Sequence, residues 1–307
     1  MVSHALVLTA GLGTRLQPLT SVRAKPAIPV AGEPLARRII RWLAGQGVAD
    51  LVLNLHHLPH TLTAAVGDGR DLGARVRYSW EQPKVLGSAG GPRHALPIIG
   101  AGTFFLVNGD TLTDVDVNAL AAAHEGSGAL VTMALVPNRE PQKYGGVLTD
   151  AGGRVTGFAP RGARAEGSHL FVGVQVVQAG AFASLPDGEP INSVGHTYNR
   201  LLETNPECIQ GFFCEAALQD IGTPDDYWTT SFECLAGRPS EEAYGRGTRF
   251  GPGARVTQSI LWDDVEIGAG AIVEECIVTD RVQITAGAVY RRAIITGGGQ
   301  QLHVTPR

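Results

Sequence analysis

Apolar runs alternate with amphipathic stretches along the first half of the chain. The apolar runs predict buried strands at residues 5–8, 51–55, 74–80, 103–107 and 129–136. Apolar side chains at helical spacing predict a helix at residues 33–47, and further helices are predicted at residues 59–66, 90–96 and 117–124. The alternation through residues 5–107 predicts an α/β domain whose parallel strands are joined by crossover helices.

The pattern is less regular in the next part of the chain. Strands are predicted at residues 155–158, 170–177 and 209–215, and a helix is predicted at residues 194–203. Another helix is predicted to begin at Thr223-Pro224-Asp225, because an N-cap threonine precedes a proline and acidic residues in the first turn.

A repeat of 17 residues follows a segment rich in Gly, Pro, Ser and Glu at residues 237–247, which predicts a linker. Residues 254–270 align with residues 271–287, so that Val256 matches Val273 and Ile260 matches Ile277. The same alignment pairs Val265 with Val282 and Ile267 with Ile284, and a third, incomplete copy carries Tyr290 and Ile294 in these columns. Apolar columns at this period predict a short parallel β-helix of about three coils.

Length, charge and composition exclude several classes of protein. A chain of 307 residues with a formal net charge of -4 has room for two domains and lacks the basic character of a nucleic-acid-binding protein. With no basic leader and no long apolar run, we expect a cytoplasmic protein with no membrane partner. The four cysteines lack metal-binding spacing, which predicts reduced thiols.

The stretch that follows the first predicted strand has the character of a phosphate-binding loop. Gly11 and Gly13 allow the backbone to approach a ligand closely, and Arg15 and Lys25 supply positive charge. A dinucleotide-binding fingerprint is excluded because Leu16 occupies the third glycine position and the second strand ends without an acidic residue. A P-loop is excluded because the sequence has no Gly-Lys pair.

Two carboxylates are candidate metal ligands. Asp110 follows the strand at 103–107 directly, at the sheet edge where α/β proteins bind ligands, although Asn108-Gly109 is also typical of a hairpin turn. Asp220 precedes the helix that begins near Thr223, and an ordinary acidic loop residue is the alternative. With Arg15 and Lys25, these carboxylates suit Mg²⁺-assisted attack on a nucleotide phosphate.

The motifs together resemble those of the sugar-1-phosphate nucleotidylyltransferases, also called nucleotide-sugar pyrophosphorylases. They occur in the order of that family, namely Gly11-Leu12-Gly13-Thr14-Arg15-Leu16, Pro18-Leu19-Thr20, Lys25-Pro26, Pro29-Val30, Leu86-Gly87-Ser88-Ala89-Gly90-Gly91, Asn108-Gly109-Asp110 and Asp220-Ile221-Gly222-Thr223-Pro224. The resemblance implies a Rossmann-like, GT-A-like mixed-sheet catalytic domain at residues 1–236 and a short left-handed parallel β-helix at residues 247–307. It implies transfer of a nucleotidyl group from a nucleoside triphosphate (NTP) to a sugar-1-phosphate, with release of pyrophosphate.

The resemblance also implies roles for individual residues. Arg15 would bind the triphosphate, Lys25 would stabilise the α-phosphate, and Asp110 and Asp220 would hold Mg²⁺. The nucleotide-binding residues would be Ala10, Gly11, Gly13, Thr14, Gln82, Gly87 and Ser88. The sugar-phosphate side would be formed by Asn108, Gly145, Gly146, Arg161 and Gly173.

The sugar side departs from the pattern of many family members. Phe158-Ala159-Pro160-Arg161 stands where a Glu-Lys-Pro segment is common, so Arg161 or Arg164 would replace its lysine. Phe171-Val172-Gly173 is similar to the mannose-, heptose- and N-acetylmuramate-phosphate branch. We therefore expect an enzyme similar to mannose-1-phosphate guanylyltransferase.

Three alternatives remain open from the sequence. One is an enzyme similar to N-acetylmuramate-1-phosphate uridylyltransferase, or one with another sugar specificity. A second is a non-catalytic regulatory paralogue. A third is an acyltransferase activity of the β-helix, which the absence of histidine between Gly247 and Gln301 disfavours. The β-helix would also allow a homo-oligomer to form.

Overall fold

The computed structural model describes residues 2–298 and 301–307. The α-helices are α1 (Leu35–Gly45), α2 (Pro59–Val66), α3 (Gly87–Ile99), α4 (Val117–Ser127), α5 (Gly180–Ala183), α6 (Tyr198–Thr204) and α7 (Pro224–Leu235). The strands up to α7 are β1 (His4–Leu8), β2 (Pro29–Val30), β3 (Glu33–Pro34), β4 (Asp50–Leu55), β5 (Arg75–Trp80), β6 (Thr103–Asn108), β7 (Thr111–Thr113), β8 (Val131–Pro137), β9 (Gly146–Thr149), β10 (Val155–Ala159), β11 (His169–Gln178), β12 (Ile209–Phe213) and β13 (Leu218–Asp220). The strands after α7 are β14 (Arg249–Phe250), β15 (Arg255–Thr257), β16 (Ile260–Leu261), β17 (Glu266–Ile267), β18 (Ile272–Glu274), β19 (Ile277–Val278), β20 (Gln283–Ile284), β21 (Val289–Arg291), β22 (Ala293–Gly298) and β23 (Gln301–Pro306).

The chain forms two compact units. The first unit consists of Met1–Gly11, Arg38–Pro59 and Val66–Gln219. The second unit consists of Leu12–Arg37, His60–Ala65 and Asp220–Arg307. The boundary thus falls inside the opening glycine-rich loop. The division into domains at 1–236 and 247–307 stays a prediction.

A nine-stranded mixed sheet forms the centre of the first unit. Its main order is β10-β9-β11-β6-β1-β4-β5, and β8 pairs with both β11 and β12. The strands β6, β1, β4 and β5 are parallel, as the strand–helix alternation predicts, whereas β11 is antiparallel to β6. The carboxyl ends of β1 and β6 therefore lie side by side, with Leu8 opposite Asn108.

The core of this unit comes from the apolar runs. Leu6, Val52, Phe104 and Leu106 are buried together with Met133 in one cluster. Each central strand places apolar side chains against the covering helices, so its sequence is a continuous apolar run. The apolar runs therefore predict the positions of these strands.

Two predicted helices differ from the structure. The helix expected at 90–96 begins at Gly87 and continues to Ile99, so it starts inside the second glycine-rich motif. The helix expected at 194–203 becomes regular only at Tyr198, because Val194 and Gly195 have non-helical backbone angles. The hairpin considered for Asn108-Gly109 does not form, since β7 pairs with β13 rather than with β6.

The repeat in the second unit forms a parallel β-helix with three sheets, β14-β17-β20, β15-β18-β21 and β16-β19-β22-β23. The register pairs Val256 with Val273 and then Tyr290, and Ile260 with Ile277 and then Ile294. Ile267 pairs with Ile284. The structure therefore confirms the 17-residue columns read from the sequence.

The corners of the coils share a left-handed backbone. Residues with positive φ recur at the same three corners of successive coils, at Gly247, Asp264 and Arg281, at Gly253, Gly270 and Gly287, and at Gln258, Glu275 and Arg292. Non-glycine residues rarely adopt this conformation, so the stacking of coils must hold them there.

Polar contacts tie the N-terminal part of the second unit to its β-helix. The Arg23 guanidinium contacts Asp263 at 2.8 Å and Asp280 at 2.6 Å and lies over the Trp262 ring. The buried Tyr227 hydroxyl donates to the Pro29 carbonyl at 2.6 Å and accepts from Trp262 Nε1 at 3.0 Å. The segment that contains Lys25 is therefore anchored on α7 and on the β-helix.

Candidate functional site

The first glycine-rich loop is anchored where β1 ends. Thr9 N and Ala10 N both donate to the Asn54 side-chain oxygen, at 2.5 and 3.2 Å, and the Thr9 hydroxyl donates to the Asn54 carbonyl at 2.5 Å. Thr9 and Ala10 are buried, whereas Gly11 is exposed and has open space where a side chain would project. The backbone of Gly11 is therefore accessible to a ligand, whereas the start of the loop, at Thr9 and Ala10, is fixed.

The second loop carries Gln82, Gly87 and Ser88. Gly87 has a φ of 77°, and a Cβ there would lie 2.8 Å from the Ile191 carbonyl oxygen, so this position requires glycine. The Ser88 hydroxyl accepts from Ser193 N at 2.8 Å, and Ala89 N donates to the Ile191 carbonyl at 2.9 Å. Gln82 is exposed. The loop is therefore held against one neighbouring segment while Gln82 stays accessible.

Asn108 and Gly173 lie beside each other at the end of β6. Gly173 has a φ of 84° within an irregular stretch of β11, and a Cβ there would lie 3.0 Å from the Asn108 side chain. Asp110 follows in the turn after β6 and is half-buried, and its Oδ1 accepts from the Thr111 hydroxyl at 3.3 Å. Asn108, Asp110 and the first loop share this edge, because Gly109 N donates to the Leu8 carbonyl at 3.0 Å.

Gly145 and Gly146 lie at the start of β9. A Cβ at Gly146 would collide with the Ser168 hydroxyl, and one at Gly145 would lie 2.8 Å from the Ala159 carbonyl oxygen. Arg161 follows Ala159 after one proline and is exposed, as is Arg164. Neither arginine forms an ion pair with another of the residues 2–298 and 301–307 that the structure describes.

The second unit contains the charged part of the opening loop. Gly13 has a φ of 61°, and a Cβ there would lie 2.7 Å from Thr20 Cγ2 and 3.3 Å from Lys25 Cβ. Thr14 and Arg15 are exposed in a short 3₁₀ turn, whereas Lys25 is only 8% exposed. Within the described part of the chain, Arg15 forms no ion pair, so its charge is accessible to a ligand.

Arg15 and Asp220 approach the same glycine. A Cβ at Gly222 would lie 2.8 Å from Arg15 Nη1 and 3.2 Å from both Asp220 Oδ2 and Asp226 Oδ2. Asp226 belongs to a capping box at the start of α7, where it accepts from Thr223 N at 3.0 Å and from the Thr223 hydroxyl at 2.8 Å. Asp220 thus lies next to the loop arginine with Gly222 leaving room for both side chains.

Each unit contains one carboxylate that is a candidate ligand for a magnesium ion. No group of three or more His, Cys, Asp or Glu side chains arranged for a metal occurs among the described residues. Mg²⁺ is commonly held by one or two carboxylates together with substrate phosphates. Asp110 of the first unit and Asp220 of the second unit are each a carboxylate of this kind.

Sequence reasoning missed Asn54 and Glu81. Asn54 is buried near the end of β4, and Glu81 is fully buried just after β5. A signal was present, since Asn54 interrupts the apolar run 51–55. Its partners lie 27 and 45 residues away along the chain, which is why the local pattern did not reveal them.

A mixed α/β sheet with glycine-rich loops at its edge, in a chain that ends in a parallel β-helix, is an architecture of nucleotide-binding transferases. The chain belongs to the Nucleotidyl transferase family, which it matches over residues 4–236. Residues 247–301 match the family described as GlmU-like, C-terminal hexapeptide. The β-helix is accordingly of the left-handed hexapeptide type.

Curated relatives are sugar-1-phosphate nucleotidyltransferases. Mannose-1-phosphate guanylyltransferase of Mycobacterium tuberculosis is 27% identical, with 87% of this chain and 82% of that protein covered. D-glycero-alpha-D-manno-heptose 1-phosphate guanylyltransferase of Aneurinibacillus thermoaerophilus is 30% identical, with 73% of this chain and 95% of that protein covered. N-acetylmuramate alpha-1-phosphate uridylyltransferase of Neisseria meningitidis is 41% identical over 115 residues, which are 38% of this chain and 50% of that protein.

Solved structures share the fold. HddC from Yersinia pseudotuberculosis has a TM-score of 0.65 at 21% identity, with 76% of this chain and 100% of that chain covered. The same protein in complex with GMP-PN has a TM-score of 0.64 at 22% identity, with the same coverage.

No helix in the described ranges has both the length and the apolar character that a bilayer crossing requires.

Proposed function

We propose that this transferase moves a guanylyl group from GTP to mannose-1-phosphate or a sugar phosphate of the same configuration. The observation that carries this choice is the pair of guanylyltransferase relatives, one acting on mannose-1-phosphate and one on a D-manno-heptose 1-phosphate. Each is similar over most of this chain. The Phe171-Val172-Gly173 segment agrees with this branch.

In the proposed reaction an oxygen of the sugar phosphate attacks the α-phosphorus of GTP. A new phosphorus–oxygen bond forms as the bond to the β-phosphate breaks, and pyrophosphate leaves. Arg15 would bind the triphosphate and Lys25 would stabilise the charge that develops on the α-phosphate. Bound Mg²⁺, held by Asp110 and Asp220, would neutralise phosphate oxygens.

The loops would bind the two organic parts of the substrates. Ala10, Gly11 and Gly87 would recognise the base through their backbone, with Gln82 beside them, and Gly13, Thr14 and Ser88 would complete the nucleotide side. Gly145, Gly146 and Gly173 would border the sugar together with Asn108. Arg161 would contact its phosphate in place of the family lysine. The accessibility of Gln82 and Arg161 supports these roles.

Uridylyl transfer to N-acetylmuramate-1-phosphate is the second candidate. The Neisseria meningitidis relative favours it through its identity of 41%, although over 115 residues only. A cytoplasmic location and assembly of copies through the β-helix remain predictions, as does the alternative of a non-catalytic paralogue.

A substrate panel tests the proposal. The protein is incubated with Mg²⁺, each of GTP, UTP, ATP, CTP and dTTP, and a set of sugar-1-phosphates, and pyrophosphate release is measured. We expect the highest turnover with GTP and mannose-1-phosphate or the heptose analogue. Release only with UTP and N-acetylmuramate-1-phosphate would favour the second candidate, and no release with any pair would favour the non-catalytic paralogue.

A further inference from the structure

A buried chain of hydrogen bonds connects the two glycine-rich loops of the first unit. Asn54 Oδ1 accepts from Thr9 N and Ala10 N in the first loop. Asn54 Nδ2 donates to Glu81 Oε1 at 2.6 Å, and Glu81 Oε2 accepts from Leu86 N at 2.7 Å. Leu86 directly precedes Gly87 and Ser88. Two side chains therefore bridge the backbones of both loops.

The bridge requires a carboxylate at its centre. Each Glu81 oxygen accepts a different N–H group, whereas an amide of the same shape would present a donor at one of these positions. Glu81 is fully buried, and it forms no ion pair within residues 2–298 and 301–307. The adjacent N-terminus of α3 provides a favourable field for this buried negative charge.

The surrounding structure leaves Glu81 little freedom. Its own N–H donates to the Leu55 carbonyl at 2.8 Å, and its carbonyl oxygen lies 2.8 Å from His56 Nδ1. A Cβ at Gly91 would lie 2.6 Å from Glu81 Oε1 and 2.9 Å from Asn54 Nδ2. Glycine at this position of α3 therefore makes room for the Asn54–Glu81 pair.

We propose that Asn54 and Glu81 are positioning residues that set the distance between the two nucleotide-binding loops. This inference rests on the proposed function, in which backbone groups of both loops bind the base of the NTP. Backbone recognition depends on the spacing of the loops, because a peptide group cannot change its rotamer to follow a displaced ligand. Breaking the bridge should weaken NTP binding and leave binding of the sugar phosphate unchanged.

An exchange of the two side-chain types provides the sharpest test. Glu81→Gln places an N–H group against another donor, and Asn54→Asp places two carboxylates against each other. In the double variant N54D/E81Q, the amide at position 81 donates to the carboxylate at position 54, and the amide oxygen still accepts from Leu86 N. The double variant therefore restores every hydrogen bond with the same total charge.

We expect Glu81→Gln to raise the KM for the NTP about tenfold or more and to leave the KM for the sugar phosphate within about twofold. The double variant should return the KM for the NTP to within about threefold of the wild-type value. Without substrates, hydrogen exchange of the amides at 9–11 and 86–88 should be faster in Glu81→Gln than in the wild type. Tyr198→Phe, which removes the buried hydrogen bond to Gln175 of the same unit, is the control for a general loss of stability.

The inference is overturned if Glu81→Gln leaves the KM for the NTP unchanged, if the double variant is as impaired as Glu81→Gln, or if Tyr198→Phe raises this KM equally. Should Glu81→Gln fail to fold, Gly91→Ala replaces it, with Gly126→Ala in the open surface of α4 as its match. A Gly91→Ala protein that binds NTP as tightly as Gly126→Ala would also overturn the inference. A wild-type protein that turns over no NTP refutes the proposed function instead, and the hydrogen-exchange comparison then decides whether the bridge positions the loops.

Discussion

Arg15 and Lys25 carry the same charge in different surroundings. Arg15 is exposed and is available to a mobile triphosphate, whereas Lys25 is 8% exposed and its backbone is fixed in a 3₁₀ turn. A charge held in place before the reaction stabilises a transition state more effectively than one that must be ordered during it. Lys25 therefore suits the α-phosphate, and Arg15 suits the initial capture of the triphosphate.

Replacement of either residue by alanine should reduce turnover while the protein stays folded. We expect Arg15→Ala and Lys25→Ala to lower kcat/KM by about 10²-fold or more, the effect of removing a transition-state charge partner. Steady-state pyrophosphate release measures the effect, and circular dichroism checks the fold. Arg281→Ala, an exposed arginine of the same unit, is the control. Near-normal turnover of both variants would contradict the proposed roles.

The contacts of Arg23 predict a dependence of stability on pH. Burial alone would raise the pKa of Asp263, but its hydrogen bond and charge interaction with Arg23 outweigh burial and hold the pKa below its ordinary value. A lowered carboxyl pKa stabilises the folded state above the unfolded-state pKa of about 3.9, and this stabilisation is lost as the pH falls through the folded-state pKa. Arg23→Ala should therefore reduce the free energy of unfolding by about 2 kcal/mol at pH 7 and by less near pH 3.

Urea denaturation at both pH values measures this difference. Arg246→Ala is the matched variant, since the Arg246 side chain is 94% exposed and lies 3.7 Å from the same Asp263. Its loss should change the free energy of unfolding by no more than about 0.5 kcal/mol. Equal effects of the two arginines would show that the geometry of Arg23 adds nothing to stability.

At the scale of elements, the regular parts of the chain were predictable and the irregular parts were not. The 17-residue columns gave the register of the β-helix, because each coil must place its apolar residues directly over those of the next. The sequence pattern did not predict that α3 begins at Gly87, because glycines in a ligand-binding motif are typical of a loop. The motifs predicted the glycines and charged residues of the candidate site. The Asn54–Glu81 bridge could not be predicted in this way, because it depends on the order of strands in the sheet, which local patterns do not encode.

Gly268 and Gly270 lie in one corner of the β-helix, and their replacement by alanine should reduce stability to different extents. Gly270 has a φ of 68° and open space around it, so Gly270→Ala adds backbone strain alone, of about 1 kcal/mol. At Gly268 a Cβ would lie 2.5 Å from Ala286 N of the next coil, so Gly268→Ala forces two coils apart at about 3 kcal/mol. Thermal unfolding and hydrogen exchange across the β-helix would measure both. An equal loss in the two variants would contradict the distinction between strain and collision.

At the scale of the whole molecule, the candidate catalytic residues are divided between the two compact units. Asp110 belongs to the first unit, and Arg15, Lys25 and Asp220 belong to the second. The boundary between Gly11 and Leu12 divides one sequence motif, so the backbone groups proposed for the base and the charges proposed for the phosphates belong to different units. The roles proposed for these residues therefore involve both units.

Metal dependence tests the roles proposed for the two carboxylates. If Asp110 and Asp220 hold one Mg²⁺, chelation by EDTA should abolish pyrophosphate release and added Mg²⁺ should restore it. Asp110→Asn and Asp220→Asn should each lower kcat/KM by about 10²-fold and raise the Mg²⁺ concentration needed for half-maximal rate. The kcat/KM of the double variant should be no more than about threefold below that of the less active single variant, because residues that serve one ion act as a unit.

Asp150→Asn, in a turn of the first unit, is the control. Losses that multiply in the double variant would mean that the two carboxylates act independently, and the shared metal ion would then have to be abandoned.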